Sequence, residues 1–119
     1  MRIDRYSFDE SFRAIVEITN FHGDASRPFE TMVTGRLLSV GGDVPAATNG
    51  HLAAGQRVLV LMTNPANGNL TIGDLMKGSS MDGAACPRCQ IGAVVEFFGC
   101  ELLNDDEIDA RSFIVQRAA

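Results

Sequence analysis

No apolar run in the 119 residues approaches the ~20 that a helix needs to cross a bilayer, so a helical membrane span is not expected. Residues 1–12, MRIDRYSFDESF, are charged throughout and lack the apolar stretch of a secretory leader. Lysine is nearly missing: Lys77 stands alone beside nine arginines, and 15 acidic residues bring the net charge to −5. An acidic chain repels phosphates, which disfavours general nucleic-acid binding and leaves only a local basic patch for RNA. Cysteine is scarce and odd in number, with three in all, which argues against a pure disulfide framework. Reduced thiols in a cytoplasmic protein are the simplest reading. The G-x-x-x-x-G-K-[ST] cradle for nucleotide phosphates is absent, and so are internal repeats and long helical periods.

What remains is a chain of one domain, residues 1–119, with residues 1–11 as an N-terminal lead-in. It is 45% hydrophobic and long enough to bury a core without disulfide staples. Residues 12–19, FRAIVEIT, alternate apolar and polar side chains, the period of a half-buried strand. The spacing of Ser7 and Glu10 fits a capping box, so a single helical turn or a plain polar lead-in precedes that strand. Residues 22–28 read as a hairpin, 30–40 as a second strand and 57–63, RVLVLMT, as a third strand buried on both faces. Asn67-Gly68 is a hairpin signal, after which 70–75, LTIGDL, return as a short strand. Residues 91–103 form the longest expected strand, 104–110 an acidic turn and 112–117 the last strand. Six strands with short turns predict an all-β fold, a small, mainly antiparallel six-stranded barrel. Closure would remove the exposed edges of such apolar strands.

The motif order resembles the second-domain β-barrel of translational GTPases such as elongation factor Tu. Val33-Thr34-Gly35-Arg36-Leu37 is similar to that family's VTGRV element, and residues 52–58, LAAGQRV, to its L-x-x-G-x-x-V strand. Residues 90–99, QIGAVVEFFG, resemble its last glycine-bounded strand, and the likeness spans roughly residues 12–117. It implies a stand-alone translation-factor-like barrel without the GTPase domain, hence no switch. At most it implies an ability to contact RNA or a protein through one face.

Few residues carry chemistry. Cys86-Pro87-Arg88-Cys89 is a C-x-x-C, and two thiolates at that spacing can grip one tetrahedral zinc. Cys100 with His22 or His51 would complete the set, but a second ligand pair is missing and Cys100 lies in an apolar strand. A redox role for Cys86 and Cys89 wants a helix N-terminus to lower the thiol pKa, whereas here the motif runs into a strand. A cysteine nucleophile with His51 as base is arithmetically available, without any flanking signature. Asp105, Asp106, Glu107 and Asp109 could hold a hard cation, yet the calcium-loop pattern is absent and a charge run between strands is usually solvated. Glu96 shares an apolar strand face with Val94, Phe98 and Cys100, and Arg36 is a candidate partner for it.

These readings leave three classes: a non-catalytic interaction module that self-associates or binds a protein or small ligand, an RNA- or ribosome-associated module, and a thiol- or zinc-dependent protein. The first is the expected one, with no catalytic residue and no cofactor. Residues 58–62, 94–98 and 113–115 are apolar on both alternating faces, more than one barrel interior can bury. A homo-oligomer, with Val95 or Phe98 near the contact, is the expected way to cover the surplus. The long segment 76–90, MKGSSMDGAACPRCQ, is expected to border any ligand site, with residues 64–69 as its neighbour.

Overall fold

The computed structural model describes residues 12–23, 31–42, 52–65, 72 and 91–117. The described residues form seven strands: β1 Arg13–His22, β2 Met32–Gly41, β3 Arg57–Leu61, β4 Val94–Phe98, β5 Glu101–Asn104, β6 Glu107–Asp109 and β7 Ser112–Arg117. They form one sheet in the order β5-β6-β3-β2-β1-β4-β7. Every described ladder is antiparallel except β3 with β6.

The sheet has two parts. One is the antiparallel meander β1-β2-β3. The other is a long bent hairpin whose register runs from Val94↔Arg117 through Phe98↔Ser112 and Glu101↔Asp109 to Asn104↔Glu107. Its base pairs with β1 through β4, and its tip pairs with β3 through β6. The hinge is narrow. The Ala110 amide donates to the Leu61 carbonyl at 2.8 Å, and the next amide, Arg111, donates to the Phe98 carbonyl at 3.0 Å. In a flat sheet β3 and β4 would lie roughly 14 Å apart, three strand spacings. Two adjacent residues, ~3.8 Å apart at Cα, cannot bridge that distance, so the sheet is strongly curled. Gly99, at φ 61°, turns the facing strand at the same point.

The expected six-stranded closed barrel is corrected on both counts. The sheet of the described residues has seven strands and is not closed into a barrel: β5 and β7 each have one neighbour there. The missed strand, β6, lies inside the segment that reads as an acidic turn. The expected long strand 91–103 is broken at Gly99 and Cys100, where the hairpin passes from one side of the sheet to the other. Of the strand expected at 70–75 only Ile72 is described, and it is helical rather than extended, with its side chain fully buried. The Asn67-Gly68 turn and the capping-box residues Ser7 and Glu10 lie outside the described residues.

The concave face holds the core. Phe12, Ala14, Val16 and Ile18 of the first strand region meet Val33, Leu37, Val58, Val60, Val95, Phe97, Ile108 and Phe113. Phe97 and Phe113 pack tilted, with ring centres 6.4 Å apart, inside the range of favourable aromatic pairs. Gly35 is required by close approach: a Cβ there would collide with the Val16 side chain and stand 2.6 Å from the Glu17 carbonyl oxygen. β3 is buried on one face only, with Val58, Val60 and Met62 inside and Leu59 and Leu61 half-buried, which corrects the two-sided burial expected of it. By contrast β4 is buried on both faces, Val95 and Phe97 on one and Val94, Glu96 and Phe98 on the other. Val95 and Phe98 are fully buried within the single chain. The surplus apolar face of β4 is therefore already covered, and neither side chain offers surface to a second copy.

Four register slips shape the outer surface. One residue has no cross-strand partner in each of four places: Thr19, Leu38, Leu103 and Gln116. Such a bulge sets two consecutive residues facing outward. This explains why Leu38 and Leu103 are exposed while their neighbours Leu37 and Leu102 pack on the core.

Candidate functional site

The outer face of β2, β3 and β6 carries a shallow groove of about 160 Å³ lined by Thr34, Arg57, Val58, Leu59, Asp106 and Glu107. Strand register places its members in one row: Asn20 opposite Thr34, Thr34 opposite Leu59, Leu59 opposite Glu107 and Glu107 opposite Asn104. Thr34 is buried, and its Oγ1 lies 3.2 Å from His22 Nε2. The groove thus offers a hydroxyl, one guanidinium and two carboxylates. It suits the end of a side chain or a few waters, not an enclosed substrate.

His22 is not in a loop, as its flanking residues suggest, but ends β1. Cys100 sits by the opposite end, its amide donating to the Phe12 carbonyl at 3.0 Å. About ten residues of extended chain separate the two positions, on the order of 30 Å at ~3.3 Å per residue. One zinc needs both ligands within ~2.3 Å, so His22 and Cys100 cannot share one. Burial pushes the Cys100 thiol up from its ordinary 9.0 to about 12; a backbone hydrogen bond with Ala14 opposes the rise and the Asp109 charge adds to it. At neutral pH Cys100 keeps its proton and packs, partly buried, against the core. Cys86, Cys89 and His51, together with the segment 76–90, lie outside the described residues. Among the described residues no three His, Cys, Asp or Glu side chains converge as a metal site would require. The acidic run at 105–109 is accordingly spread along a turn and a strand, not gathered around a cation.

Glu96 and Arg36 do not meet. Arg36 stands opposite Glu17 in the ladder and donates to its carboxylate at 2.6 Å. Glu96 lies on the covered face of β4, where Gln116 Nε2 donates to Oε1 at 3.0 Å and Arg13 Nη1 stands 4.0 Å from Oε2. The Arg13 guanidinium lies over Gly41, where a Cβ would come within 2.9 Å of Nη2. This cluster fixes β1 against β4 and β7, which is a structural task.

The feature the sequence hides is the edge strand β5. Glu101, Leu103 and Asn104 are exposed, and Leu102 is half-buried against the core. Among the described residues β5 pairs with β6 alone, so its other side presents backbone N–H and C=O groups without a ladder there. The hairpin tip is held in place by the groups around it. Gln56 Nε2 donates to the Asp105 carbonyl at 3.0 Å, and the Leu59 amide donates to the Asp106 carbonyl at 2.8 Å. Asp109 accepts from the Thr63 amide at 3.0 Å and from its hydroxyl at 2.5 Å. The alternation Glu107-Ile108-Asp109-Ala110 is the signal that could have revealed β6, since Ile108 and Ala110 are fully buried between outward carboxylates. Comparison of the chain with protein-family models, with curated proteins and with solved structures gives no match in any of the three.

Proposed function

We propose that the protein is a non-catalytic interaction module whose working surface is the exposed edge of β5. The observation that carries this reading is the combination of an unpaired strand edge with an outward leucine. Leu103 keeps 47% of its surface in water, whereas the apolar side chains first expected at a contact are buried inside the chain. Native proteins blunt such an edge with short strands, charges, bulges, lysine, proline or a covering element; β5 is short, charged at Glu101 and bulged at Leu103, which limits pairing to one short partner segment. β5 has neither lysine nor proline, and it is braced from behind by Gln56, Leu59 and Thr63 through β6 and the hairpin tip. A rigid, open edge is what a strand-adding partner requires.

The RNA-associated alternative has less support, because the hairpin that bears this edge is acidic and would repel phosphates. The test is to map binding on the labelled protein. Nuclear magnetic resonance titrations with extended peptides and with single-stranded RNA should move amide signals of residues 101–109 for peptides only. Shifts confined to the β1–β2 face, or a response to RNA alone, would refute the proposal.

A further inference from the structure

We infer that the β5 edge takes an extended partner segment with a basic–apolar–basic pattern, adding it as an eighth strand. This rests on the reading of β5 as the working surface and names the occupant. The register fixes the pattern. Leu102 faces the core, so Glu101 and Asn104 face outward, and the bulge at Leu103 makes Leu102 and Leu103 together oppose one residue of any incoming strand. A regular strand laid beside β5 therefore puts residues i and i+2 outward, opposite Glu101 and Asn104, and residue i+1 inward against Leu102.

The outward positions are strongly biased in charge. Behind Glu101 in the same cross-strand row stands Asp109, and behind Asn104 stands Glu107. Asp105 and Asp106 close the tip. Arg57 lines the groove beside Asp106 and Glu107, and Arg111 at the hinge donates from Nε to the Asn64 carbonyl. Among the described residues Glu101 and Glu107 have no ion-pair partner. Lysine or arginine at i and i+2 lies within cross-strand reach of Glu101 and, diagonally, of Glu107, while an apolar residue at i+1 extends the Leu102 and Leu103 surface. The same charges argue against a second copy as occupant. Two-fold pairing of β5 with itself would set one acidic hairpin against another, where opposed like charges destabilise the pair.

The experiment uses the full chain and a fluorescent, end-blocked peptide, Thr-Lys-Val-Arg-Val-Lys-Thr, read by anisotropy at low and moderate salt. Three further peptides isolate the terms: one with glutamate for each basic residue, one with alternate amides N-methylated along the edge-facing side, and a scrambled one that keeps composition but loses alternation. The expected result is saturable binding of the first, weakened by salt. N-methylation should weaken it about tenfold or more, because it removes ladder hydrogen bonds at unchanged charge. The protein variant Glu101→Lys should weaken binding similarly while its circular dichroism stays unchanged. Equal binding of the methylated or scrambled peptide means charge attraction without strand addition, and overturns the inference. Preference for the acidic peptide overturns it too. Sedimentation showing a dimer that Leu103→Lys dissolves would make a second copy the occupant, overturning this inference but keeping the interaction-module reading. A monomer that binds none of the peptides overturns both.

Discussion

Replacing Gly35 by alanine tests the central packing claim, because two physical effects of opposite sign compete at that position. Glycine inside a strand ordinarily costs about 0.5–1 kcal/mol relative to alanine, so Gly35→Ala should stabilise if backbone entropy decides. The structure says that space decides. The new methyl would meet the Val16 side chain and stand 2.6 Å from the Glu17 carbonyl oxygen. Those groups belong to β1, which is bonded to β2 on one side and β4 on the other. A backbone oxygen in such a ladder cannot swing aside as a side chain can. Overpacking of this kind costs about 3 kcal/mol at the upper end of its usual range. After the entropy gain, a net loss of about 2 kcal/mol or more remains. With a urea m-value of roughly 1.5–2 kcal/mol per M, the unfolding midpoint should fall by at least about 1 M. Gly41→Ala is the comparison, since its methyl would meet the far end of the Arg13 side chain rather than a backbone oxygen, and it should cost less than Gly35→Ala. A Gly35→Ala midpoint equal to or above that of the parent protein would refute the reasoning.

Phe98→Ala should cost about 3–5 kcal/mol in chemical unfolding and leave the sedimentation coefficient unchanged, because the ring is buried within one chain; a change of association state at unaltered stability would contradict this. In a Cys86→Ser, Cys89→Ser background, Cys100 should resist a thiol reagent at pH 8 in the folded protein and react promptly in urea; fast reaction of the folded protein would remove the buried-thiol assignment. The sign of its pH effect follows: between the ordinary 9.0 and the raised value of about 12 the folded state keeps a proton that the unfolded chain has lost. The Cys100 contribution is thus fully present below pH 9 and declines as pH rises above it, which unfolding curves compared with a Cys100→Ala variant will check. Asp109→Ala should cost about 1–2 kcal/mol, since it frees the Thr63 amide and hydroxyl together, and a Thr63→Val, Asp109→Ala double-mutant cycle showing no coupling would discount that clamp.

The strands were legible where one face alternates cleanly. Ala14, Val16 and Ile18 announce β1, because burial of every second residue leaves a period of two in the sequence. β6 was illegible for the opposite reason: only Ile108 and Ala110 point inward, and the carboxylates between them read as a turn. The two-sided burial of Val94 to Phe98 left an apolar run that fits either a second copy or cover from the same chain, and sequence has no means of choosing. The Arg36 partner was missed because pairing depends on register, which put Glu17, not Glu96, across from it. As for the candidate site, the sequence places residues 101–103 in the longest expected strand and Asn104 in the acidic turn, and neither placement marks an edge. Its character comes from being last in the strand order, a property of topology alone.

The bent hairpin also sets the order in which the chain can assemble. β1 with β2, and β5 with β6, join segments near in sequence, so they zip with little loop entropy to overcome. The ladders β1–β4 and β3–β6 join distant segments, and each alone would require a large closure. Both, however, belong to the same preformed hairpin. Once β4 docks on β1, the hinge at Ala110 and Arg111 delivers β6 to β3 at a high local concentration, so the second closure follows from the first. The two long-range contacts therefore behave as one bivalent event, in which β5 arrives with β6 as part of the hairpin already formed.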